Sequence, residues 1–256
     1  MHDRCPKCSH SPLPADQSFP AECPVCGVIL ARAGLAPPPR VEPDFDGGAV
    51  EPRGLGSWLW QVPEQVDATA FKGRVALLAV FALWGLHLCW LDYRDGEIMT
   101  SFIHGPLLIF HEAGHVIFHA FGEWVGVLGG TLGQLLMPAL LGVALLWKNR
   151  DPFGAAFGLW LFGVSVLDVA PYMYDALEPQ LTLLGGGTSN DSFHDWIYLF
   201  DSVHQLAHAQ RIGAFTHALG VGIVLLAVGW GAALLRWQRR RIAGAVLVER
   251  QEPERH

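Results

Sequence analysis

Between positions 75 and 147 the chain runs 73 residues with six charged side chains: Asp92, Arg94, Asp95, Glu97, Glu112 and Glu123. A water-soluble domain carries charge at about one residue in four, so this stretch fits bilayer-spanning helices far better than a soluble core. The whole chain of 256 residues follows the same trend, with 51% hydrophobic and 16% charged residues and a mean hydropathy of +0.29. Its net charge of −7 argues against nucleic-acid binding, which needs clustered Lys and Arg. Disordered and collagen-like classes are excluded by the same composition.

Apolar runs cover residues 75–91, 98–121, 124–147, 153–173 and 212–235. Residues 176–192 read as a loop around Gly185, Gly186 and Gly187, and 193–210 as an amphipathic or re-entrant segment. The expected fold is an all-α polytopic membrane protein of about five transmembrane helices, with a small N-terminal zinc ribbon built on four cysteines. Five crossings place the two ends on opposite faces, yet Lys72 and Arg74 precede the first run and Arg236, Arg239, Arg240 and Arg241 follow the last. Positive flanks prefer the same side. Either one apolar run does not cross or 193–210 does, and the start of the third run, broken by Gly129 and Gly130, is the first suspect, because irregular backbone is tolerated where it lines a cavity.

Four of the five cysteines fall in the first 26 residues, as Cys5-Pro6-Lys7-Cys8 and Cys23-Pro24-Val25-Cys26. Two such pairs have the spacing of a zinc ribbon, each forming a tight knuckle that aims two thiolates at one ion. A segment this small buries too little apolar surface to fold alone, so the metal supplies its folding free energy. No secretory signal opens the chain, and the ribbon is expected to stay on the cytoplasmic side. The expected layout is a ribbon over 1–30, a Pro-rich linker over 31–72, a membrane domain over 73–235 and a charged tail over 236–256.

The second run contains His111-Glu112-Ala113-Gly114-His115, an HExxH motif. On a helix, residues four apart lie on one face, so both imidazoles can reach a single ion while Glu112 points aside. A zinc ion there lowers the pKa of a bound water to about 7, and Glu112 is placed as its general base. Ionisable groups in an apolar span are functional by default. His104 and His119 extend the same stripe and are read as lining a wet cavity or sitting at the membrane interface, where one of them is also a partner open to Asp168.

A hydrolytic zinc needs a third protein ligand and one open position. Asp168 is the first choice, with Pro171 expected to unwind the helix locally and turn the carboxylate inward. His194 or Asp195 is the alternative. Asp201, His204 and His208, spaced i, i+3 and i+7, read as the wet face of a surface helix.

An HExxH in a transmembrane helix, followed by Asp168 near the end of the second following span, resembles the site-2-type intramembrane zinc metalloproteases. That resemblance covers about residues 98–173. It implies that His111, His115 and Asp168 bind the catalytic zinc, that Glu112 is the acid/base, and that the residues around Gly129 and Gly130 form a substrate-holding hairpin. Val169 stands where the family usually has Gly, and no PDZ-like segment is present. Residues 167–172 and 185–196 resemble a divergent bacterial branch with an N-terminal ribbon.

The expected function is a membrane-embedded zinc endopeptidase of the bacterial inner membrane, with one catalytic and one structural zinc. Its expected partners are the bilayer, a transmembrane or membrane-adjacent protein substrate, and a protein docked at the ribbon. The alternative is a non-catalytic metal-binding membrane protein: a transporter, sensor or scaffold.

Overall fold

The computed structural model describes residues 2–18, 21–30, 55–61, 68–181 and 193–251. The chain divides into two units, Met1–Pro52 and Arg53–His256. Most of the expected linker lies outside the described residues.

In the small unit two turns repeat one design. The Ser9 N–H donates to the Cys5 carbonyl at 2.8 Å, and the Gly27 N–H donates to the Cys23 carbonyl at 2.9 Å. Ser9 and Gly27 both take positive φ, 61° and 65°. Gly27 does so without a Cβ penalty. An antiparallel bridge joins Glu22 and Ile29, and Leu30 packs against Cys5 and Cys23.

The large unit is helical: α1 (Leu55–Leu59), α2 (Ala68–Trp90), α3 (His104–Phe118), α4 (Glu123–Trp147), α5 (Pro152–Asp175), α6 (Asp195–Ser202) and α7 (Ala209–Gln251). No strand occurs among the described residues. Four helical stretches are long and apolar enough to cross a membrane: Ala68–Trp90, Glu123–Trp147, Pro152–Asp175 and Leu206–Ile242.

Four replaces the expected five because the second apolar run does not form one long helix. It breaks into a 3-10 turn (Glu97–Thr100), α3, and a second 3-10 turn (His119–Phe121). The 15 residues of α3 span about 22 Å, short of a hydrocarbon core of about 30 Å. Pro106 sits in its first turn, where a missing N–H costs nothing, and Gly122 at φ 103° ends the segment. The third run, expected to be irregular at Gly129 and Gly130, is instead the continuous helix α4. The expected charged tail continues as helix to Gln251.

The bundle is built around α5, which is buried along most of its length, whereas α2 buries only Gly85 and Leu88. The core joins Leu88, Leu107, Trp160, Val164, Leu167 and Val224 from four helices. Helices in lipid gain little from hiding apolar surface from one another, so close packing through small residues holds them together. The short helix α3 meets α4 in this way. A Cβ on Gly114 would collide with the Gly129 carbonyl, and one on Gly133 would come within 2.5 Å of the Phe110 carbonyl.

Gly114→Val should force α3 off α4 and destabilise the unit by about 1–3 kcal/mol. Thermal melting in detergent should show this loss, with Gly222→Ala unchanged, because a Cβ there meets nothing within 4 Å.

Candidate metal centre

Helix α3 carries His111 and His115 one turn apart, facing α4. The Nδ1–H of His111 donates to the Gln134 side-chain carbonyl at 3.2 Å, and that of His115 donates to the Gly126 backbone carbonyl at 2.9 Å. Both acceptors lack a proton, so they fix each ring with its hydrogen on Nδ1 and its lone pair on Nε2. The two Nε2 atoms converge on Asp195 Oδ2, at 3.0 and 3.2 Å. Among the described residues His111, His115 and Asp195 form one of two groups whose ligand atoms gather closely enough to hold a metal ion, all within 4.8 Å.

Room for an ion at this point depends on α4. A Cβ on Gly130 would stand 2.5 Å from both Nε2 atoms, in the space the ligands surround. Glycine leaves that space open. The donor set, two neutral imidazoles and a carboxylate, suits a divalent transition metal.

Asp195 arrives from outside the long helices, as the first residue of α6. His194 caps that helix: its Nδ1 accepts the Ile197 N–H at 3.3 Å, and its ring lies on Tyr172 with centroids 4.2 Å apart. The Asp195 N–H donates to Tyr172 Oη at 3.1 Å.

Asp168 stands one layer behind. Its carboxylate accepts from His104 Nδ1 at 2.9 Å and from Gln134 Nε2 at 2.8 Å. Gln134 thus spends its N–H on Asp168 and its carbonyl on His111. Helix α5 runs through Pro171 without the expected unwinding. The carboxylate facing both imidazoles is that of Asp195, the alternative ligand, while Asp168 orients the amide that orients His111. His194 turns its ring to Tyr172 and Asp175 rather than to the two imidazoles.

A cavity of about 570 Å³ opens beside this group, lined by His104, Glu112, His115, His119, Tyr172 and Asp195 among others. Glu112 is exposed on the same helix and reaches this space. Sequence reasoning missed Gln134 and Tyr172. Gln134 is the one carboxamide in an otherwise apolar run, which is the signal it offered.

The second group is Cys5, Cys8, Cys23 and Cys26. Cys5 Sγ lies 3.6 Å from Cys26 Sγ, and Cys8 Sγ lies 3.7 Å from Cys23 Sγ. A disulfide would bring such atoms to about 2.05 Å, whereas tetrahedral thiolates at about 2.3 Å from one ion are separated by about 3.8 Å. The cluster fits a zinc ribbon. Burial raises the Cys5 thiol, but the Cys8 and Lys7 backbone N–H groups outweigh it and bring it down to about 6, ready for ligation.

Comparison with protein-family models, with curated proteins and with solved structures finds no match to this chain.

Metal analysis of the purified chain should find two ions, with Cys5→Ser removing one and Asp195→Ala or His111→Ala the other. Asp168→Asn should keep the second ion but weaken its affinity about 10- to 100-fold, the effect of losing an outer hydrogen-bond partner. Gly130→Ala should lose that ion as Asp195→Ala does, since its methyl fills the same space.

Proposed function

We propose that this protein is a membrane-embedded, zinc-dependent endopeptidase that hydrolyses peptide bonds in or near transmembrane segments. The observation that carries the reading is the convergence of His111 Nε2, His115 Nε2 and Asp195 Oδ2 beside Glu112 in a cavity on an apolar bundle. Three protein ligands and an open side are the pattern of catalytic zinc, whereas the four cysteines close their site and make it structural. A zinc ion held there would supply a Lewis acid that acidifies a water and polarises a carbonyl.

The remaining chemistry belongs to side chains. Glu112 takes the proton of the attacking water and delivers it to the amide nitrogen as the carbon–nitrogen bond breaks, returning to its carboxylate form. Tyr172 Oη accepts the Asp195 N–H, and among the described residues no acceptor takes its own O–H. The phenol is therefore free to donate to the substrate oxygen as negative charge grows on it. The Asp168–Gln134 pair keeps His111 in the ligating tautomer. A substrate helix must unwind locally to present a carbonyl to this cavity, so weakly helical segments with Gly or Pro fit best. The ribbon serves as a docking module for a protein partner.

Glu112→Gln should retain both metal ions while lowering cleavage of reconstituted transmembrane peptides by about 100-fold or more. A chain that carries both metals, cleaves none of a panel of Gly- and Pro-containing transmembrane peptides and moves zinc across vesicles as well with Glu112→Gln as without it would be a metal carrier instead.

A further inference from the structure

The two ends of the helix bundle carry opposite charge. At one end Arg74 pairs with Asp151 at 3.8 Å, Trp58 meets Trp147 at 5.7 Å and Trp60 meets Trp237 at 6.2 Å. The start of α2, the turn between α4 and α5 and the last part of α7 therefore lie together. Among the described residues as far as Arg241, this end holds Lys72, Arg74, Lys148, Arg150, Arg236 and the run Arg239, Arg240, Arg241, against Asp151. At the other end Tyr93 packs on Tyr174 and His217, with centroids 5.5 and 4.5 Å apart. There Asp92, Asp95, Glu97, Glu123, Glu178 and Asp201 outnumber Arg94 and Arg211.

The metal centre belongs to the acidic end. Asp168 lies 16 residues beyond Pro152, about 24 Å along α5 from the basic end. Helix α3, which carries His111, Glu112 and His115, connects α2 to α4 at the acidic end. Helix α6, which carries Asp195, connects α5 to α7 there as well. Four crossing helices, an even number, return the chain to the side it started from, which satisfies the basic residues in the first turns of α2 and in the last part of α7 together. Lys and Arg in short connections stay in the cytoplasm, and Trp marks the membrane interface.

We infer that the metal centre opens to the extracytoplasmic face, and that its substrate is an extracytoplasmic, membrane-adjacent segment of another membrane protein. The side follows from the bundle alone; the substrate class rests on the endopeptidase reading.

Single cysteines in the full chain test the side without any activity assay. Glu112→Cys reports the cavity, Glu178→Cys the acidic surface and Lys148→Cys the basic turn, with the native thiols as the blank. In intact cells a membrane-impermeant maleimide should label positions 112 and 178 to within about twofold of their labelling in permeabilised cells. Position 148 should gain at least tenfold on permeabilisation. Asp201→Cys, exposed on α6, repeats the measurement if the cavity variant fails to accumulate. Labelling of 148 from outside, or of 112 only after permeabilisation, overturns the inference, as does equal labelling of all positions in intact cells. Failure of the endopeptidase reading shows separately, as absent cleavage by a chain whose labelling pattern holds.

Discussion

Helices α3 and α4 touch through backbone at Gly114, Gly129 and Gly133, and the position of both imidazoles follows from that contact. A pair of helices separated by ordinary side chains sits 8–10 Å apart. At such a separation the Gly126 carbonyl could not reach His115, nor could Gln134 reach His111. Bringing the backbones together turns α4 into the wall that sets both rings. Gly130 then contributes by absence, since it faces the one point where both Nε2 atoms meet.

The polar groups that this contact buries are chained rather than scattered. His104, Asp168, Gln134 and His111 form one continuous series of hydrogen bonds, which leaves Nε2 at the far side of the ring facing Asp195. In an apolar bundle each unpaired member would cost about 1–3 kcal/mol. A complete series avoids that cost and leaves each group one arrangement. Such a network is a rigid mount, and the precision of two Nε2 atoms aimed at one carboxylate oxygen is what it provides.

Local patterns in the sequence were enough to locate much of this. The paired CxxC knuckles and the HExxH spacing are short-range, because a turn or one helical period brings their members together. The ribbon fold and an apolar helical bundle follow from them and from the charge distribution. Asp195 was legible only as an alternative. It lies 84 residues from His111, on an eight-residue helix docked by Trp196, Leu199 and Phe200 as well as by His194 and Tyr172, contacts that no spacing from His111 encodes. Asp168 has the spacing of a ligand but is engaged by His104, an outlying histidine of the same polar stripe that the sequence also offered it as a partner, and by Gln134, which sequence spacing does not reveal. The number of crossing helices was overstated because hydropathy records how apolar a run is, not how long its helix continues. The extended Ser101 and the 3-10 turns on either side of α3 divide the second run, and parity with the basic flanks is restored when it is taken out of the count.

The third carboxylate rides on α6, a helix of two turns joined to the bundle through a capping imidazole, a phenol and the buried side chains of Trp196, Leu199 and Phe200. Two of the three metal-facing side chains are thus set by the long helices, while the last is delivered by a segment that must dock separately. An ion at this point would be a clasp between the two. Part of its binding free energy would be the free energy of closing α6 onto the bundle, so metal affinity and the closed state of that segment would be a single thermodynamic quantity. Whatever pulls α6 away would also loosen the ion, which gives the protein a handle on its own reactivity far from the imidazoles themselves.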